Sequence, residues 1–136
     1  MDKLWNPRIW AFGCSQTFGQ GLEDCHEEKD GVYAAKPHPS KFAYPQLIGD
    51  ALGKEVINKS RPGASNKHIL QQIKLNQHRM NKSDIVIIHW TYLERHVVFV
   101  NDERDNINFK PNDNNKVSKQ YYKHIHSDND TVIVTR

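Results

Sequence analysis

Apolar positions along the chain fall into short uninterrupted runs separated by amphipathic stretches, and that spacing predicts most of the elements. Residues 8–13 hold the run Ile9 to Phe12, of the kind buried on both faces in a parallel sheet. Residues 14–39 keep no clean period and contain Gly19, Gly21, Gly31, Pro37 and Pro39. They read as a long loop with a short helical turn directly after Ser15, and loops of this length in compact domains serve as lids or binding loops. A helix is predicted over 43–52, with Pro45 in its first turn, an apolar face of Leu47, Ile48, Ala51 and Leu52, and Gly53 as its stop. Residues 54–58 read as a second strand. Ser60 to Ala64 form a turn, and Ser65 or Asn66 can cap a second helix reaching Met80. Ile69, Leu70, Ile73 and Met80 form its apolar stripe. The third strand is the run from Asp84 to Trp90.

This β-loop-α-β-α-β order argues for an α/β fold with a parallel sheet and right-handed crossovers. Beyond residue 95 the pattern changes. Val97–Val100 and Ile107–Lys110 can pair as a hairpin. Val117 to Asp128 is a helix candidate, and Thr131–Val134 fits helix or strand equally. The whole chain, 1–136, reads as a single domain, with 8–95 as the α/β part and 96–136 as a hairpin and helical extension.

In a parallel sheet every strand ends on the same edge, so residues just past each strand become neighbours. Here that edge gathers Ser15, then Gly63 to Asn66, then Thr91 and Tyr92. Acyl transfer needs such a set: a hydroxyl nucleophile, and donors aimed at the oxygen that becomes negative in the tetrahedral intermediate. Each residue also has a plainer role. Ser15 and Gly63 suit ordinary turns, Asn66 a helix cap, Thr91 and Tyr92 the end of a strand, and Cys14 a small buried thiol.

These segments resemble blocks of the SGNH (GDSL-type) hydrolase superfamily. Gly13-Cys14-Ser15 is similar to its Gly-Asp-Ser block, with Cys14 in place of the acid. Ser60-Arg61-Pro62-Gly63-Ala64-Ser65-Asn66 resembles the second block, whose glycine amide serves the oxyanion hole. Ile87 to Tyr92 occupies the place of the third, with Thr91 where the family has its oxyanion asparagine. The Trp-Thr-Tyr form followed by Arg95 is similar to a branch common among phage-encoded proteins. The resemblance covers residues 8–95. It implies a three-layer α/β/α sandwich of SGNH (flavodoxin-like) type, incomplete at its C-terminus, with the first strand between the second and third. It also implies a serine esterase acting on an ester such as an O-acetylated carbohydrate or a lipid. Ser15 would attack the carbonyl, the amides of Ser15 and Gly63 would hold the oxyanion, and Asn66 or Thr91 would add a side-chain donor. No cofactor is implied.

The family's base lies in a late Asp-x-x-His block, and no Asp-x-x-His occurs in this sequence. A serine without a base is a poor nucleophile. One of the eight histidines substitutes, a separate chain supplies the block, or the scaffold binds without turning over. His38, between Pro37 and Pro39 in the long loop, is the substitute base favoured here, with His89 and His96 as rivals. The silent alternative is a binding or interaction module whose open third strand invites self-association or a complementing chain.

Composition narrows the remaining classes. Lys and Arg exceed Asp and Glu by 19 to 16, scattered without the runs that mark nucleic-acid tails or polybasic anchors. No nucleic-acid or membrane partner is expected. The N-terminus lacks an apolar signal region and no run nears a membrane span, so the expected location is cytoplasmic. Cys14 and Cys25 read most simply as reduced thiols, with a disulfide between them left open. His124, His126, Asp128 and Asp130 do not share a helix face, so no metal site is expected. Gly19-x-Gly21 lacks the third glycine of a dinucleotide loop, since Asp24 stands there.

Overall fold

The computed structural model describes residues 6–100 and the strand at 105–109. The expected helix at 117–128, the segment 131–134 and the histidines at 124 and 126 lie outside the described residues. At the centre is a small parallel sheet in an α/β arrangement, with strands β1 (Ile9–Phe12), β4 (Val56–Asn58) and β5 (Ile85–Ile88) in the order β4-β1-β5. Ile9 is in register with Val56 and Ile85, and Trp10 with Ile57 and Val86. The first strand therefore lies between the other two, as expected, and all four of its residues are 0% exposed.

Side-chain alternation along β1 sorts the packing. Trp10 and Phe12 share one face, their rings stacked with centroids 6.4 Å apart. They form the core with Cys14, Ala64 and Ile69, against which Ile57, Ile73 and Met80 pack. Ile69 and Ile73 come from α3 (Asn66–Asn76). Helix α2 (Tyr44–Leu52) packs against β4 and β1. Its contact face is Pro45 and Gly49, not the expected Leu47, Ile48, Ala51 and Leu52, which are exposed. Gly49 explains the swap, because a Cβ there would collide with Val56 Cγ2. The bare glycine lets the helix backbone close onto β4.

Three other expectations change. The 14–39 stretch is not all loop. It begins with the expected helical turn, α1 (Ser15–Phe18), and then holds an antiparallel hairpin of β2 (His26–Lys29) and β3 (Val32–Ala35). Asp30 (φ 54°) and Gly31 (φ 77°) make its tight turn, the two-residue Asp-Gly connection whose twist suits a hairpin. The second helix ends at Asn76 and tightens into a 3-10 turn, Gln77–Arg79, before Met80. The third strand is short of 84–90 and is not buried: Ile85, Val86 and Ile88 are 40%, 42% and 40% exposed. Among the described strands only β1 pairs with it. Beyond it, β6 (His96–Val100) and β7 (Asp105–Phe109) pair antiparallel, as expected of the hairpin, and β6 packs on α3.

Cys14 and Cys25 are free, buried thiols. Among the described residues no helix is long and apolar enough to cross a membrane.

Candidate functional site

The segments that leave β4 and β5 at the C-terminal edge of the sheet stay hydrogen-bonded to β1 and to Gly13, the residue that follows it. The Lys59 amide donates to the Ala11 carbonyl (2.8 Å), the Arg61 amide to Gly13 (3.2 Å) and the His89 amide to Phe12 (2.8 Å). The ladder thus runs past the strands and delivers residues 59–61 and 89 beside the turn at Gly13. That turn demands glycine, because a Cβ at position 13 would overlap the Thr17 side chain. With that space free, the chain folds directly into α1, which Gly19 ends in the left-handed conformation (φ 84°). Thr17 and Phe18 are buried, while Ser15 stays half-exposed at the start of the helical turn.

Ser15 opens onto a cavity of about 330 Å³, which it lines with Cys14, Gln16, His89, Trp90, Thr91, Tyr92 and Arg95. Post-β1 and post-β5 residues therefore share one wall. His89 is held from behind: its Nδ1 lies 3.3 Å from Thr17 Oγ1 and 3.5 Å from the Tyr44 hydroxyl, and those two hydroxyls are 3.0 Å apart. Both partners are neutral. They orient the ring but stabilise a positive imidazolium less than a carboxylate does.

Asn66 ties the second segment to the third. Its Oδ1 accepts from the Thr91 amide (2.7 Å) and its Nδ2 donates to the Thr91 carbonyl (3.1 Å). The carboxamide is committed to that latch and does not line the cavity. The helix cap is Ser65, whose hydroxyl accepts from the His68 amide. Thr91 Oγ1 accepts from Arg95 (3.0 Å), which also reaches the Ala64 carbonyl (3.5 Å) and lies over the Tyr92 ring (5.1 Å). Arg95 is thereby a fixed cation on the cavity wall.

That cation acts on Cys14. Burial opposes ionisation of the thiol, but hydrogen bonds involving the Thr91 hydroxyl, the Gln16 amide and the Ser15 hydroxyl, with the charge of Arg95, outweigh it. The thiol sits below its ordinary value.

The remaining expected residues lie elsewhere. Gly63 adopts φ 78° in the turn next to Ala64 but does not line the cavity. His38 is exposed, with Nδ1 3.3 Å from the Pro39 carbonyl, and is likewise absent from the cavity wall. His96 sits half-buried on β6, where burial pushes its imidazole below the usual value. Two participants were under-read from sequence. Arg95 was legible only as a cation four residues past Thr91, and the Thr17–Tyr44–His89 cluster joins residues up to 72 positions apart that no local spacing signals.

No family model, no curated protein and no solved structure matches the chain.

Proposed function

We propose that the protein is a serine ester hydrolase of SGNH type, built on a three-layer α/β/α scaffold and acting on an O-acetylated carbohydrate or a lipid ester. The observation that carries the reading is the shared cavity of Ser15 and His89 at the C-terminal edge of a parallel sheet, the edge at which such sheets hold their ligands. His89, rather than His38, is the base of this reading. With Nδ1 turned to Thr17 and Tyr44, Nε2 takes the proton as Ser15 Oγ bonds to the ester carbonyl carbon. The imidazolium returns that proton to the departing alkoxide, and water then releases the acid from Ser15 by the same route. Arg95 offsets the negative charge that develops on the carbonyl oxygen. The layering is supported by register. Val56, next to Gly49 of α2, aligns with Ile9, whereas Ile57, next to the α3 cluster, aligns with Trp10.

The test is hydrolysis of p-nitrophenyl acetate. Ser15→Ala is expected to lower kcat/KM by about a hundredfold or more, and His89→Ala comparably. Equal rates for wild type and Ser15→Ala would end the hydrolase reading.

A second reading is favoured by one observation. The exposed apolar side chains of β5 continue into exposed Trp90, Tyr92 and Leu93, the kind of patch and strand edge that marks an interaction surface. On that reading the scaffold is a catalytically silent module that pairs with a second copy or a complementing chain.

A further inference from the structure

A second cavity, of about 440 Å³, is lined by the residues that follow β4 and shares no lining residue with the Ser15 cavity. Lys36, Lys59, Arg61, His68, Ser60 and Gln72 line it, and none of its lining residues is acidic. Three cationic side chains around one hollow favour an anion there.

The cations are positioned by backbone constraints. Lys59 and Arg61 continue the β4 ladder, their amides donating to Ala11 and Gly13. Both side chains line the hollow. Asn58 fixes the turn between them, its Oδ1 accepting from the Ser60 amide (3.0 Å) and hydroxyl while its Nδ2 donates to the Thr17 carbonyl (2.9 Å). Lys36, from a separate segment, is anchored by its amide to the Cys25 carbonyl (2.8 Å), and Pro37 and Pro39 line the cavity with it. His68, 2% exposed on α3, also lines the cavity.

We propose that this cavity binds a small molecule carrying a phosphate group. Three cations and a hydroxyl match the charge and acceptor count of a phosphate better than those of a single carboxylate. The volume falls in the range of small-molecule sites and exceeds what a bare anion fills. The proposal is independent of ester hydrolysis.

Amide spectra of the full chain, titrated with phenyl phosphate, inorganic phosphate and sodium chloride at matched ionic strength, test it. Saturable shifts at 59–61 and 68–72 are expected with both phosphates, tighter for phenyl phosphate. Lys59→Gln combined with Arg61→Gln is expected to weaken phenyl phosphate by about tenfold or more, and Ser15→Ala to leave it unchanged. Lys36→Gln, on a separate segment, is expected to weaken it too and decides the matter if the double variant fails to fold. Shifts that chloride reproduces, or an affinity unchanged in the folded variants, would overturn the proposal. Equal affinity for the two phosphates would remove its organic body.

Discussion

Cys14 and Cys25 are both buried thiols, yet their surroundings push them in opposite directions. Burial raises Cys25, and the neighbouring Asp24 carboxylate raises it further. Burial also opposes ionisation of Cys14, but Thr91, Gln16, Arg95 and Ser15 together bring it below the ordinary thiol value. Because the thiolate is the reactive form, iodoacetamide near neutral pH is expected to modify Cys14, on the cavity wall, well before Cys25. The pH midpoint of Cys14 labelling should rise in Arg95→Met. Peptide mapping across a pH series reads both; earlier labelling of Cys25 would contradict the assignment. Ser15 was legible from sequence because one local signal, an apolar strand running into Gly-Cys-Ser, places it. The acidity of Cys14 was not, because it depends on Thr91 and Arg95 brought across from another strand.

Elements were legible where a single period ran long enough, as in β1, α2 and α3. The β2–β3 hairpin was missed because its strands, His-Glu-Glu-Lys and Val-Tyr-Ala-Ala, carry little alternation. The Asp30-Gly31 turn was the signal that could have found it. The edge between β1 and β5 depends on one carboxylate that no motif announces. Asp84, its side chain 1% exposed, accepts from the Arg8 amide, the Trp10 indole and the Asn81 amide, each at 2.9 Å, with the Arg8 guanidinium 3.5 Å away. Burial works against its ionisation, but the Arg8 and Asn81 amides, the Trp10 indole and the Arg8 charge overcome this and hold the carboxyl below its usual range. Such a group contributes stability that is present above its unfolded pKa, about 3.9, and lost as pH falls through the lower folded value. Asp84→Asn is therefore expected to cost about 2–3 kcal/mol at neutral pH. It should also flatten the acid side of the stability curve. Urea titrations at several pH values measure this, and a wild-type slope retained in the variant would contradict it.

At the scale of the whole molecule, the meeting of the segments after β1, β4 and β5 was legible because parallel strands must end on one edge. What covers each face was not. A run such as Ile85–Ile88 reads identically whether it lies inside a sheet or at its margin, and here it is exposed. If that surface is an interface, sedimentation velocity should show mass rising with concentration, and Val86→Lys should return the chain to monomer; a monomer throughout would leave β5 an ordinary edge. The hydrolase reading stands or falls on the nucleophile itself. The full chain, treated with a fluorophosphonate and mapped by mass spectrometry, is predicted to carry one adduct, on Ser15, slowed in His89→Ala and absent in Ser15→Ala. A folded protein whose Ser15 stays unmodified, or whose adduct persists in Ser15→Ala, would contradict it.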